Sequence, residues 1–320
     1  MNAAVVHAFD TPPRYTSFTE PVAGEGEMLV DVIAAGLHPI VKALASGSHY
    51  RSTGVLPLIP GVDGVGPRQD GTPVYFGMCR VPFGTFAERS LTAHTMCIPV
   101  PEHLDPVTIA GVANPGMSSW VALTKRAKFV AGENILILGA TGIAGQLAVQ
   151  IARHLGAQRI IVAGRNRVAL DKLREMGADA IVALDQEHDA LVSSIRSEWM
   201  TAGIDVVLDY LWGRPAEAVL EAMSQKGLQQ AISRVRFVQI GDSAGKVISL
   251  PAATLRSSGI ELLGSGFGSA SVDEILKALA DFFLFAARSP LKINIKPVPL
   301  RDVEAHWNSA EHGARLVFLP

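Results

Sequence analysis

The sequence predicts an α/β chain: a doubly wound parallel sheet joined to a separate, mainly-β part. Three observations carry this. Residues 134–164 read as strand, glycine-rich turn, helix, strand. After Gly164, apolar runs of strand length alternate with helical periods, the order that builds a parallel sheet covered by helices. Before residue 115, Gly, Pro and Ser punctuate short apolar runs instead, as in an irregular β domain.

In the first part, residues 28–33 (MLVDVI) are a strand between Gly24-Glu25-Gly26 and Gly36. Residues 74–76 and 85–88 are further strands among the turns. Residues 118–128 take a helical period, with Trp120, Leu123 and Ala127 on one face. Residues 135–138 (ILIL) are a buried strand, and Leu147, Ile151 and Leu155 mark a helix that Gly156 ends. Residues 160–163 (IIVA) are the next strand. Helix 167–176 (closed by Gly177), strand 180–183, helix 188–199, strand 204–209, helix 215–223, and strands 236–240 and 260–263 complete six strands. A helix over 272–287 turns Ile275, Leu276, Leu279, Phe282 and Phe283 inward. Strand 292–298, a short helix over 302–309 and strand 315–318 cannot extend the sheet in order without a crossover. They are expected to rejoin the first part. The expected domains are 1–115, 116–264, and 265–320 returning to the first.

Composition bounds the function. A chain of 320 residues suits two domains. Apolar residues make up 48%, aromatics 6% and charged residues 18%, which implies a large aliphatic core under a modestly charged surface. A net charge of −2 gives no footprint for nucleic acid or an anionic membrane. The N-terminus lacks a basic region followed by an apolar one, so no targeting segment is expected. The uncharged run 134–152 is broken by Gly139, Thr141, Gly142, Gly145, Gln146 and Gln150, and reads as strand plus loop rather than a membrane span. Cys79 and Cys97 form neither a CxxC pair nor a disulfide framework, so a reducing cytoplasm is expected.

The turn after strand 135–138 carries the chemistry. Ala140-x-Gly142-x-x-Gly145 is the dinucleotide fingerprint with alanine in its first position. Gly142 has no side chain, so backbone N–H groups of Thr141, Ile143 and Ala144 and the helix N-terminus can reach a diphosphate. Gly145 lets helix and strand pack closely. An ordinary βαβ turn with incidental glycines is the competing reading. An NAD site wants Asp or Glu about 20 residues past the glycines. Gly164 is followed there by Arg165, Asn166 and Arg167, with no carboxylate until Asp171. A guanidinium binds a 2′-phosphate where a carboxylate would repel it. The expected cofactor is therefore NADPH, against the alternative of solvated loop arginines. Loops after later strands are expected to line the same site: Leu211-Trp212, Gly241-Asp242-Ser243 and Gly264-Ser265-Gly266-Phe267. Trp212 and Phe267 could equally be core or dimer contacts.

These residues carry a family resemblance. Stretches 59–66 (IPGVDGVG), 84–88 (GTFAE), 140–145, 204–209 (IDVVLD) and 316–318 (LVF) resemble, in order, a zinc-free medium-chain dehydrogenase/reductase of the quinone oxidoreductase type. The resemblance implies a GroES-like domain, a Rossmann domain, an active-site cleft between them, and a homodimer built through the nucleotide domains. Where zinc alcohol dehydrogenases have a Cys ligand, this chain has His38, and their Gly-His-Glu reads Gly61-Val62-Asp63. The four-cysteine lobe is missing, so no catalytic or structural zinc is expected. Without a Lewis acid, hydride transfer suits a quinone or α,β-unsaturated carbonyl, where charge delocalises.

The resemblance also points to three polar residues. His38 falls near the nicotinamide and could donate to the substrate oxygen or hold the cofactor; a satisfied structural histidine is the alternative. Tyr50 aligns with a family tyrosine whose hydroxyl could face substrate, or it packs under its loop. Ser118 aligns with a threonine near the cofactor carboxamide and could also cap a helix. A tyrosine often found near position 43 is Ala43 here, and the Lys and Tyr some relatives use for the 2′-phosphate appear as Ala169 and Leu184. No nucleophile elbow, Tyr-x-x-x-Lys pair or Walker loop competes. Two functions stand: NADPH-dependent reduction of a small electrophilic quinone or enone, and a non-catalytic NADPH-binding role on the same fold.

Overall fold

The structure is a computed structural model that describes all residues except 10, 69, 225–232 and 310–312. It divides into two compact units: Met1–Asn114 with Leu279–Pro320, and Pro115–Ala278. The second division thus falls after Ala278 instead of residue 264, within a continuous helix.

The first unit is mainly β. It holds β1 (Asn2–Val5), β2 (Arg14–Ser17), β3 (Glu27–Asp31), β4 (Ala35–Gly36), helix α1 (Pro39–Ala45), β5 (Asp63–Pro67), β6 (Pro73–Gly77), β7 (Arg89–Ala93) and β8 (Cys97–Pro99). The strand expected at 85–88 lies instead at β7, which pairs antiparallel with β3. In the expected segment only Ala87 pairs, through a single bridge to Ala3. Thr85 N and Phe86 N donate instead to the Gly61 and Pro60 carbonyls, and the Thr85 hydroxyl to the Asp63 carbonyl. Helix α2 (Pro106–Val121) leads out of this unit. It begins well before the expected 118, so Ser118 is a mid-helix residue and caps nothing. Pro115 lies inside it.

The second unit is the expected doubly wound sheet. Its strands are β9 (Asn134–Leu138), β10 (Arg159–Gly164), β11 (Ala180–Ala183), β12 (Val206–Asp209), β13 (Val235–Gln239) and β14 (Ile260–Gly264). They lie in the order β11-β10-β9-β12-β13-β14, all parallel. Helices α3 (Ile143–His154), α4 (Arg167–Lys172), α5 (His188–Ala202) and α6 (Gly213–Ala222) alternate with the strands, and α7 (Ala252–Arg256) precedes β14. Ile135, Leu136, Ile137 and Leu138 of the central β9 are all buried, which is why that run carries no alternation of polar residues. The chain winds from β9 outward to β11, then crosses back to β12, so β9 and β12 flank the topological switch point.

Helix α8 (Val272–Arg288) then leads back to the first unit, where β15 (Asn294–Pro299), α9 (Val303–His306) and β16 (Ala314–Leu319) complete it. β16 pairs with β15 on one side and antiparallel with β4 on the other, Val317 against Gly36. Phe318 and Trp307 bring their rings edge-on to Phe86, closing this unit's core.

Candidate functional site

In the second unit every loop expected to line the dinucleotide site follows the carboxyl end of a parallel strand. Gly139–Ala144 follows β9, Arg165–Arg167 follows β10, Leu211 follows β12, Gly241–Asp242 follows β13, and Gly266–Phe267 follows β14. Gly142 opens α3 without any side-chain cap, so the first-turn N–H groups have no side-chain acceptor. A Cβ built on Gly142 would meet only the Gly139 carbonyl, at 3.4 Å. Space for a ligand and uncapped N–H groups at a helix N-terminus fit a diphosphate. Gly145 serves packing. A Cβ there would lie 2.5 Å from the Gly139 carbonyl and 2.8 Å from the Ala140 carbonyl carbon. Ala140 is wholly buried beneath the turn, and Gly164 packs against the Thr141 side chain.

The three residues after β10 separate into different roles. Arg165 is exposed, and among the described residues its guanidinium has no hydrogen bond or ion pair. Asn166 caps α4, its side-chain oxygen accepting from Ala169 N at 3.0 Å. Arg167 faces Asp185 at 3.5 Å on the surface. Arg165 therefore presents a guanidinium open to solvent, while Asn166 is committed to the helix.

Ser118 is half-buried, and its neighbour Ser119 is the better-connected hydroxyl. Ser119 Oγ lies 2.7 Å from the Tyr210 hydroxyl and donates toward the Pro115 and Ala144 carbonyls at 3.0 and 3.2 Å. It ties α2, the first turn of α3 and the exit of β12 together. The helical period of Trp120 and Leu123 located this helix but not which serine faced inward.

Asp209, the last residue of β12, also escaped the sequence reading, although an acid ending the apolar run Val206-Val207-Leu208 was a signal. Its Oδ1 accepts from Leu211 N at 2.8 Å and Trp212 N at 3.0 Å. The side chain is 0% exposed, and Oδ2 has no partner among the described residues. Burial pushes its carboxyl up to about 6, over the opposing effect of the two N–H bonds. A raised value means the fold favours the protonated form. That contribution is complete below the ordinary value of 3.8 and is lost as pH rises through about 6. Asp209→Asn should accordingly melt higher than the wild type at about pH 8, by at most ~3 kcal/mol, with the gap closing toward about pH 4. Thermal melts at both pH values check this; an equal shift at the two would contradict it.

The first unit holds a buried polar cluster around Asp63, which is 3% exposed. His38 Nε2 lies 3.2 Å from its Oδ1, and Asn114 Nδ2 donates to Oδ2 at 2.7 Å. Burial together with the Asp63 charge pushes the pKa of the nearby Tyr75 hydroxyl well above its ordinary value. Glycines make the cluster possible. A Cβ on Gly36 would lie 2.6 Å from His38 Nε2, and one on Gly61 would lie 2.7 Å from Thr85 N. The 59–66 motif thus serves to seat Asp63. Burial holds His38 below its ordinary value despite the pull of Asp63. His38 is 1% exposed and its Nδ1 has no partner among the described residues. Arg315 donates to the Leu37 carbonyl at 2.6 Å, and burial pushes it down to about 10. Tyr50 does not join this cluster: it is 71% exposed, with its ring stacked on His49 at 4.2 Å.

Among the described residues no three His, Cys, Asp or Glu side chains are grouped to hold a metal ion. Cys79 and Cys97 are free, and burial pushes their thiols up to about 12 and about 11, which leaves them weak nucleophiles. No helix among the described residues is long and apolar enough to cross a membrane.

A family model described as zinc-binding dehydrogenase matches residues 144–283. That match excludes His38, Val62 and Asp63. The chain is 28% identical to a probable NADPH-dependent quinone reductase of Emericella nidulans, with 100% of both proteins covered. It is 29% identical to the quinone oxidoreductase of Lama guanicoe, with 74% of each covered. Among solved structures, it is similar to the quinone oxidoreductase from Thermus thermophilus, whose complex with NADPH is also solved. That likeness has a TM-score of 0.81 at 25% identity, over 100% of both chains.

Proposed function

From a chain that belongs to the medium-chain dehydrogenase/reductases, of the quinone oxidoreductase type, we propose a reductase that transfers hydride from NADPH to a quinone or an α,β-unsaturated carbonyl compound, without metal. One observation carries the reading: the uncapped α3 N-terminus at Gly142 lies one strand away from the open guanidinium of Arg165. The first suits a diphosphate and the second a 2′-phosphate. The two relatives named as quinone reductases support the acceptor class.

The dinucleotide supplies the hydride when bound. The α3 amides orient it, Arg165 selects its phosphorylated ribose, and Ser118, Leu211, Gly241, Asp242, Gly266 and Phe267 line it. His38 Nε2 is held by Asp63 Oδ1, and the proton that completes reduction comes from solvent. A quinone or enone tolerates this because the added charge delocalises before it is protonated. The grouping of ligating side chains supports metal independence: Val62 stands between Gly61 and Asp63, and His38 and Asp63 offer two donors only. The same reading carries a homodimer in the cytoplasm.

The test is NADPH oxidation, followed optically, across a panel of quinones and enones. Turnover on a member of either class is expected. Tight NADPH binding with no turnover on any acceptor would favour the non-catalytic role. The cofactor choice has its own check. Arg165→Asp should weaken NADPH by ~1.5–3 kcal/mol, roughly ten- to hundredfold, and leave NADH nearly unchanged. Equal NADH and NADPH affinities in the wild type would remove Arg165 from this role.

A further inference from the structure

The turn leaving β12 sits at the switch point and is unusually constrained. Trp212 adopts φ 57° and ψ −157°, a conformation that side-chain-bearing residues rarely take. Every backbone group from Tyr210 N to Trp212 N is committed. Tyr210 N donates to the Leu138 carbonyl at 3.3 Å, and the Tyr210 carbonyl accepts from Ser243 Oγ at 3.1 Å. Leu211 N and Trp212 N both donate to Asp209 Oδ1, and the Leu211 carbonyl accepts from Ala244 N at 2.7 Å. The Tyr210 hydroxyl is fixed by Ser119. The result is a turn with one position for Leu211, whose Cδ2 lies 3.0 Å from where a Cβ on Gly139 would stand. Gly139 has φ 80° and begins the glycine turn. Leu211 therefore forms the wall on the β12 side of the switch point, opposite the β10 side that carries Arg165.

We propose that Asp209 is a positioning residue for the dinucleotide, presetting the Tyr210–Trp212 turn so that Leu211 walls the nicotinamide half of the ligand. The assignment rests on the NADPH reading above. If Arg165 takes the adenosine 2′-phosphate beyond β10 and the α3 amides take the diphosphate after β9, the remaining half of the ligand extends toward β12. Strain at Trp212 persists only where its surroundings over-determine it. The two N–H bonds to a single carboxylate oxygen are the local groups that do so. A buried acid with one unpartnered oxygen is retained at a cost to the fold, and the preset turn gives that cost a purpose.

The experiment compares NADPH with 2′-phospho-ADP-ribose, which carries the same adenosine, phosphates and distal ribose but no nicotinamide. Dissociation constants are measured for wild type, Asp209→Ala, Asp209→Asn and Leu211→Ala, at a temperature where each is folded. Asp209→Ala and Leu211→Ala should weaken NADPH by about tenfold or more, the scale of a lost charge-assisted hydrogen bond. Both should leave 2′-phospho-ADP-ribose within about threefold of wild type. Asp209→Asn keeps an acceptor for the two N–H groups and should restore NADPH affinity. The emission of Trp212, isolated by subtracting a matched Trp212→Phe protein, should change in the alanine variant at Asp209 and not in the asparagine one. Should Asp209→Ala fail to fold, Leu211→Ala and Asp209→Asn decide the matter by the same ligand contrast. Equal loss for both ligands, or no loss for NADPH, overturns the proposal while leaving the cofactor reading intact. A wild type that binds neither ligand overturns both.

Discussion

Asp63→Ala should destabilise the first unit by ~2–5 kcal/mol, because it leaves buried donors without their acceptor. The loss has identifiable parts. The His38 ring and the Asn114 amide each lose their partner inside the protein. A buried donor left unmade costs about 1–3 kcal/mol, and relaxation recovers part of the sum. Arg315, buried and already pushed down to about 10, loses the negative charge that opposes that shift. Asp63→Asn keeps one acceptor oxygen and the side chain's shape, so its loss should be roughly half as large. Urea unfolding of wild type and both variants measures this. If the alanine variant unfolds within about 1 kcal/mol of wild type, Asp63 is not the hub of the cluster.

The parts of the fold written in local periodicity were legible, and the parts written in long-range contacts were not. The run from β9 to β10 needs only neighbouring residues: four apolar positions, a glycine turn, and leucine and isoleucine at steps of four. The alternation that follows, down to Gly177 closing a helix with φ 113°, is of the same kind. The first unit is different. Helix α2 was recognised only in its second half, because Pro115-Gly116 reads as a break. Tertiary burial of Ile109, Ala110, Val112 and Ala113 carries the helix through the proline instead. Strand β7 was displaced toward residues 85–88 because Thr85 and Phe86 have strand propensity. Their backbone N–H groups go instead to the Gly61 and Pro60 carbonyls, which belong to no strand. The candidate site follows the same division. Gly142, Gly145 and Arg165 act through backbone geometry and exposure, which local sequence reports. Asp63 gathers partners 25 and 51 residues away in the chain, and no pattern around it announces them. His38 was found by position in a motif, but nothing in the local sequence reports that Asp63, 25 residues on, is its partner.

Gly142 and Gly145, three positions apart in one turn, should both lose NADPH when each becomes alanine, but only one should lose stability. At Gly145 the new methyl would fall against Ala140 Cα and the Gly139 carbonyl, backbone atoms of the strand exit that cannot rotate aside. Helix α3 must then move off β9. Overpacking of this kind costs ~1–3 kcal/mol, and the displaced helix carries its N-terminal amides away from the diphosphate. Gly145→Ala should lower the melting temperature and weaken NADPH together. At Gly142, φ is −74° and the only nearby atom is the Gly139 carbonyl at 3.4 Å, an ordinary contact. Gly142→Ala should therefore fold with stability within ~0.5 kcal/mol of wild type. Its methyl, however, occupies the space through which a diphosphate reaches the Ile143 and Ala144 amides, so NADPH affinity should still fall, by roughly tenfold or more. Melting curves and NADPH titrations on the two proteins separate the roles. Loss of binding with stability unchanged is the signature of a ligand lying over Gly142. A Gly142→Ala protein that binds NADPH as the wild type does would mean that the diphosphate does not cross this turn, and the dinucleotide reading of the loop would lose its geometric basis.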